Sequence, residues 1–148
     1  MAEQVRILGL DLGSKRIGIA LSDALGWTAQ GLTVIHRAGR ARDLARVLEL
    51  VKKYEVQEIV IGLPRHLDGR LGEGAEEALA WAAELREHLH IPVHTWDERL
   101  TTLQAERVLL QADLSRRKRR QVIDKLAAGL ILQAFLDNRR QTQAEKER

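Results

Sequence analysis

The stretch Val5-Arg6-Ile7-Leu8-Gly9-Leu10-Asp11-Leu12-Gly13-Ser14-Lys15-Arg16-Ile17-Gly18-Ile19-Ala20-Leu21-Ser22 reads as two strands joined by a tight turn. From Val5 to Asp11 the two-residue period of a strand puts Ile7, Gly9 and Asp11 on one face. Gly13-Ser14-Lys15 has the composition of a hairpin turn. Arg16 to Ser22 resumes the alternation: Ile17, Ile19 and Leu21 point one way, the small Gly18 and Ala20 the other. A carboxylate, Asp11, closes an otherwise apolar strand just before a glycine.

Working outward, a third strand is predicted over Leu32 to His36, with Asp23 to Gln30 as its connection. Leu44, Val47, Leu48 and Val51 then have the i, i+3, i+4, i+7 spacing of one apolar helix stripe. Glu58 to Gly62 encloses the β-branched run Ile59-Val60-Ile61. Followed by a Gly-Leu-Pro stop, it predicts a central strand buried on both faces. A polar, glycine-rich loop covers Arg65 to Gly74. Ala75, Ala78, Leu79, Ala82 and Leu89 mark a second helix, and Ile91 to Trp96 a short strand. Thr101-Thr102-Leu103-Gln104 fits a capping box, starting a helix with Ala105, Val108, Leu109 and Ala112. The basic residues that follow interrupt its pattern. A last helix is predicted from about Gln121 to Asn138. Short early connections allow antiparallel pairing, and the later strands need crossovers and should be parallel. The chain is thus expected to be α/β: a mixed five-stranded sheet with helices packed on it. One domain is predicted over 1–138, followed by a polar C-terminal tail over 139–148.

A chain of 148 residues, 45% hydrophobic, suits one compact domain with a real core. The absence of cysteine excludes disulfides, thiolate metal sites and thiol nucleophiles. A metal would need oxygen or imidazole ligands, and carboxylates favour Mg²⁺ or Mn²⁺. Met1 to Gln4 carry no secretory pattern, and no apolar stretch reaches the roughly 18 residues of a membrane span. A cytoplasmic protein with no membrane partner is expected. The formal net charge is only +3. Its distribution is more informative: Arg116, Arg117, Lys118, Arg119 and Arg120 form an unbroken basic run, followed by Lys125, Arg139 and Arg140. Such a run is either a solvated loop or a phosphate-binding patch.

Three acidic positions stand out. Asp11 ends a strand. Asp97 and Glu98 follow a strand and precede a helix cap. Asp124 shares a helix stripe with Ala128, Ile131 and Phe135. Each has an ordinary structural use: in a turn, beside a helix dipole or, for Asp124, paired with a nearby arginine. Strand ends on one side of a sheet converge, however, and a helix packed over that edge adds a third group. Carboxylates brought together repel and need compensation, which a pair of Mg²⁺ or Mn²⁺ ions supplies in phosphodiester hydrolysis. Lys15 and Arg16 can meet phosphate charge at the hairpin. Arg65, His66 and Arg70 lie in the loop after the buried strand, where ligands of parallel sheets gather. Trp27, Trp81 and Trp96 read as packing residues, so contacts from Arg and Lys to a nucleic-acid backbone are expected rather than base stacking.

Three blocks carry a resemblance. The first is Leu10-Asp11-Leu12-Gly13-Ser14-Lys15-Arg16-Ile17-Gly18-Ile19-Ala20, continuing to Ser22-Asp23. The second joins Ile61-Gly62-Leu63-Pro64 and Asp68-Gly69 to Asp97-Glu98-Arg99-Leu100-Thr101-Thr102. The third is Asp124-Lys125-Leu126-Ala127-Ala128 with Ile131-Leu132. In this order they resemble the YqgF or RuvX family of bacterial Holliday junction resolvase-like nucleases, also described as pre-16S rRNA processing nucleases, from about Ile7 to Leu136. The resemblance implies a ribonuclease H-like fold and a divalent-metal nuclease active in ribosomal RNA maturation. It implies Asp11, Glu98 and Asp124 as catalytic residues and metal ligands, which selects Glu98 over Asp97. It also gives Ala127 and Ala128 a reason, since small residues let the helix bearing Asp124 sit close to the sheet. The expected nucleic-acid contacts are Lys15, Arg16, Arg65, Arg99 and the run Arg116 to Arg120. The expected partner is structured RNA, with branched DNA as the alternative. A symmetric junction cutter would be a homodimer, whereas an end-processing nuclease works as a monomer. Two other classes remain in view: a non-catalytic RNA-binding ribosome-assembly factor, and an ATP-binding fragment, since the Asp11 to Arg16 turn also resembles the phosphate hairpin of sugar kinases and actin.

Overall fold

A computed structural model describes residues 5–65, 68–98 and 116–146, with side chains described throughout except over 116–123. Among the described residues the elements are β1 (Ile7–Leu12), β2 (Arg16–Ser22), β3 (Ala29–His36), α1 (Arg40–Lys53), β4 (Glu58–Leu63), α2 (Ala75–His88), β5 (Val93–Asp97) and α3 (Arg116–Lys146). The five strands form one sheet in the order β3-β2-β1-β4-β5. The β1–β2 and β2–β3 pairs are antiparallel, while β1–β4 and β4–β5 are parallel. This is the predicted division between short connections and helical crossovers.

The hairpin between β1 and β2 closes where the N–H of Gly13 donates to the carbonyl of Arg16 at 2.9 Å. A Cβ on Gly13 would lie 2.6 Å from that oxygen, so the turn itself requires the glycine. The alternation read from sequence separates two cores. Leu8, Leu10, Ile17, Ile19, Ile59 and Ile61 face α1 and α2, meeting Leu44, Val47, Val51, Trp81 and Leu85. Ile7, Ala20 and Val60 face α3, meeting Ala128, Leu132 and Leu136. Each such large side chain taken from water contributes about 1.5–3 kcal/mol, and the sheet is covered on both sides.

α3 approaches the sheet closely because the strands beneath it carry glycine. A Cβ at Gly18 would fall 2.1 Å from the carbonyl oxygen of Asp124, and one at Gly31 2.9 Å from Cβ of Lys125. Ala127 and Ala128, 1% and 0% exposed, complete this contact from the helix side, as the small-residue reading predicted.

The structure departs from the sequence reading at four boundaries. β3 starts at Ala29 rather than Leu32, pairing Ala29 with Ser22, and the Ala29 N–H also donates to Oε1 of Gln133 in α3 at 2.9 Å. β4 does not stop at the Gly-Leu-Pro signal but runs through Gly62 to Leu63. The last helix, α3, begins at Arg116 rather than at about Gln121, so the basic run belongs to it, consistent with the good helix propensity of Arg and Lys. At its other end α3 continues past Asn138 to Lys146. The expected polar tail is helical there because Arg139 grips Glu58 of β4 with two hydrogen bonds of 2.7 and 2.9 Å. The Thr142 hydroxyl also donates to the Asn138 carbonyl at 2.9 Å. The predicted helix with Ala105, Val108, Leu109 and Ala112 lies outside the described residues. Among the described residues no helix is long and apolar enough to cross a membrane.

Candidate active site

Asp11 lies near the carboxyl end of β1, on the face turned to α3, and is only 9% exposed. Its antiparallel partner on β2 is Gly18. The carbonyl of Asp124 occupies the space a Cβ would take at Gly18, so the turn of α3 that bears Asp124 rests on the strand neighbour of Asp11. On the other side of β1, Leu10 pairs with Ile61 of β4. One step further along both parallel strands brings Gly62 beside Asp11. A Cβ at Gly62 would lie 2.6 Å from Oε1 of Glu98 and 2.7 Å from Cδ1 of Ile131. One row across three strands, Gly18, Asp11 and Gly62, therefore underlies Asp124, the Asp11 side chain and Glu98. Neighbouring strands are about 4.8 Å apart, so the row spans about 10 Å.

The geometry of β5 separates the two acids that spacing left open. Val93 belongs to the core under α1 and α2, whereas His94 and Trp96 meet Phe135 of α3, with ring centroids 5.1 and 6.1 Å apart. Asp97, two and four residues from Thr95 and Val93, falls on the side away from α3. It pairs in register with Leu63 and lies 3.8 Å from Nε of Arg65. Glu98 is the residue that reaches over Gly62.

Asp124 has a partner of its own. Nε of Arg16 donates to its Oδ2 at 2.5 Å, and the two side chains are 22% and 19% exposed. Arg16 shares with Gly18 the β2 face under α3. Among the described residues no three His, Cys, Asp or Glu side chains stand close enough together to hold a metal ion. Backbone or side-chain atoms of the three acidic residues thus lie along one row of the sheet without forming a metal-binding cluster, and the Asp124 carboxylate is engaged by Arg16. As donors they remain a set of anionic oxygens, the type that hard divalent cations prefer, and the space above Gly62 is filled by a carboxylate rather than by its own side chain.

Of the expected basic contacts, Lys15 and Arg65 stand exposed at this end of the sheet. Lys15 is exposed at the hairpin. Arg65 is exposed just after β4, donating to the Gly69 carbonyl at 3.0 Å. Positions 116–120 precede Asp124 on the same helix by four to eight residues, which is about 6–12 Å of axial rise. Arg99 and His66 lie outside the described residues, and Arg70 pairs with Asp68 at 2.6 Å. Trp81 is buried and Trp96 packs on Phe135, as expected of packing residues. Trp27 does not follow: it is 55% exposed, with the Arg140 guanidinium 5.2 Å from its ring centroid. Two features were not specified by the sequence: which arginine pairs with Asp124, although such a pairing is among its expected uses, and the seat that Gly62 provides for Glu98. The signal for the second was present, since a glycine inside a β-branched strand marks a close approach.

Comparison with known proteins bears on this arrangement. The RuvX family, described as Holliday junction resolvase, matches residues 5–138. The chain belongs to the RuvX family. Among its relatives, a "Putative pre-16S rRNA nuclease" of Moorella thermoacetica is 60% identical over 133 residues, covering 90% of this chain and 95% of the relative. A protein of the same name from Pelotomaculum thermopropionicum is 58% identical over 135 residues, covering 90% and 88%. Among solved structures, Thermus thermophilus RuvC in complex with a Holliday junction substrate superposes with a TM-score of 0.56 at 15% identity, covering 91% of this chain and 95% of that one. The Fowlpox virus resolvase with its junction DNA gives 0.53 at 11% identity, covering 90% and 98%. At such identities the likeness establishes the fold, which is ribonuclease H-like. Membership of RuvX places the chain among the nucleases.

Proposed function

We propose that this RuvX chain hydrolyses phosphodiester bonds in structured RNA, acting in the cytoplasm on the 5′ end of pre-16S rRNA. The observation that supports the reading is the row Gly18–Asp11–Gly62, over which lie the backbone carbonyl of Asp124 at Gly18 and the Glu98 carboxylate at Gly62. Asp11, Glu98 and Asp124 are the residues that would hold Mg²⁺ or Mn²⁺. Bound among such carboxylates, a divalent cation offsets phosphate charge and makes water a better nucleophile. The chain's own part is positional. β1 and β4 fix Asp11 and the floor beneath Glu98, and α3 fixes Asp124 against the sheet. Lys15 and Arg65 flank the row as exposed cations suited to phosphate oxygens. The basic first turns of α3 supply further positive charge next to Asp124, so binding should weaken steeply with salt.

The family description and the names of the relatives point to different substrates, branched DNA and pre-16S rRNA. A shared site does not choose between them. The deciding experiment is a cleavage panel of precursor ribosomal RNA, single-stranded RNA and four-way DNA junctions, with wild type, Asp11→Asn and Glu98→Gln, in preparations free of host nuclease. Loss of several kcal/mol of charge stabilisation corresponds to at least about a hundredfold in rate. Wild type is expected to cut the precursor RNA, and both variants to lose at least about that factor. Undiminished cutting by Asp11→Asn removes the row from the chemistry. Cutting confined to junctions moves the substrate to branched DNA and calls for two copies of the chain.

A further inference from the structure

We infer that Arg16 is an exchangeable partner, paired with Asp124 and released to a nucleic-acid phosphate when Asp124 takes a divalent cation. The inference rests on the reading of Asp124 as a cation ligand. Its ground is a conflict in the structure: Asp124 lies over the strand neighbour of Asp11, yet its carboxylate is engaged 2.5 Å from a guanidinium. While Nε of Arg16 donates to Oδ2 of Asp124, that oxygen is withheld from a set of anionic oxygens with Asp11 and Glu98, and the guanidinium lacks its full fork of donors for a phosphate.

The location suits an exchange. Each side chain is about one-fifth exposed, at the rim where water, cations and a polyanion reach both groups. Ion pairs with this much solvent access are weak, so a divalent cation can take the carboxylate and a phosphate can take the guanidinium. The backbone atoms on either side are fixed, β2 by its pairing with β1 and β3, and α3 by its contact with Gly18. The exchange therefore needs only side-chain rotation. Arg16 begins β2 at the same edge as Asp11, so the released guanidinium stays beside the row. Its planar fork suits a phosphate better than an ammonium would. Cation and nucleic acid then help each other bind by the same factor, as linkage requires.

The test is a double-mutant cycle on the full chain, read as binding rather than turnover. A fluorescein-labelled structured RNA is titrated in EDTA, followed by anisotropy, with wild type, Arg16→Gln, Asp124→Asn and the double variant. Asp124→Asn should bind about tenfold more tightly than wild type, because Arg16 is freed, and this gain should shrink below about twofold in the Arg16→Gln background. Asp11→Asn controls for the loss of one negative charge, and its effect should be the same in both backgrounds. An Asp124→Asn gain of equal size in both backgrounds, or no gain at all, overturns the exchange. Should Asp124→Asn unfold, Ca²⁺ replaces the variant: it should tighten RNA binding by wild type and not by Arg16→Gln, and equal tightening overturns the proposal. Mn²⁺ calorimetry on wild type separates the two readings. Uptake with an additive cycle keeps the cation site and removes the exchange. Coupling without uptake keeps the Arg16–Asp124 competition for RNA and removes the cation that was to drive it.

Discussion

The two ends of α3 are attached to the sheet by different physics. At the Asp124 end the helix backbone rests on the bare Cα of Gly18, and the charged contact beside it, Arg16 to Asp124, sits at the rim. At the other end Arg139 reaches Glu58 with both terminal nitrogens, and Nε2 of His94 lies 3.0 Å from Oε1 of the same carboxylate. The Phe135 ring packs against His94 and lies 4.6 Å from the Arg139 guanidinium. Glu58 is 15% and Arg139 30% exposed, against 19% and 22% for Asp124 and Arg16, so the two ends differ in the number of partners on the carboxylate rather than in exposure. One end is held by backbone contact with an ion pair open to exchange, and the other by an ion-pair cluster whose carboxylate is already satisfied. The end with the proposed chemistry is the one whose charge can change partners.

The largest expected effect falls on the backbone contact. In Gly18→Ala the added methyl would land 2.1 Å from the Asp124 carbonyl, so helix and strand must part. Over-packing of this kind costs about 1–3 kcal/mol and sometimes more, and urea unfolding measures it. Gly62→Ala meets only the ends of two side chains, Glu98 and Ile131. Its stability should fall less, while its cleavage rate falls more than stability alone accounts for. A Gly18→Ala protein as stable as wild type would mean that the backbone contact does not hold this end.

Next comes the ion-pair end. Glu58→Gln removes the charge that Arg139 and His94 share and should cost about 1–2 kcal/mol, with cleavage unchanged below the unfolding transition. The same group predicts a pH dependence. The Arg139 hydrogen bonds, then the His94 hydrogen bond and the charges of both partners, outweigh burial and hold the Glu58 carboxyl below its ordinary value of 4.5. A carboxyl depressed in the folded state adds stability that is complete above the unfolded value and is lost as pH falls through the folded one. Wild type should therefore lose stability below about pH 4.5 faster than Glu58→Gln does, as thermal unfolding across pH 3–6 would report. Parallel curves for the two proteins would remove Glu58 from the account.

Much of the difference between the ends was readable in the sequence. The period of two put Asp11 on one face of its strand with Ile7 and Gly9, and Gly18 and Ala20 on the face of theirs opposite Ile17 and Ile19, and the helical period aligned Asp124 with Ala128 and Ile131. What escaped was any pairing that depends on how far two distant elements approach. Arg16 and Asp124 each have ordinary local uses, and only the height of α3 above Gly18 brings them together. The helical character of 139–146 was hidden for the same reason. Its residues are polar, and what anchors Arg139 is a glutamate on β4 far away in the chain. Gly62 was read as a stop because strand-ending glycines are common, whereas its role depends on Glu98 arriving above it from β5.

The smallest effect separates a second kind of ion pair at the same helix end. Arg140 bonds to Asp137 and lies over Trp27, but these groups are 39%, 56% and 55% exposed. Solvent screens such a pair, and holding long side chains in place offsets most of its attraction. Arg140→Ala should therefore change stability by no more than about 0.5 kcal/mol, and high salt should erase the difference. A loss as large as that of Glu58→Gln would show that α3 is held at this end by several charged contacts acting together. A negligible loss leaves Arg139 and Glu58 as the charged pair that fixes the far end of the helix, four turns and more from Asp124, so that an exchange at Arg16 leaves the position of α3 unaltered.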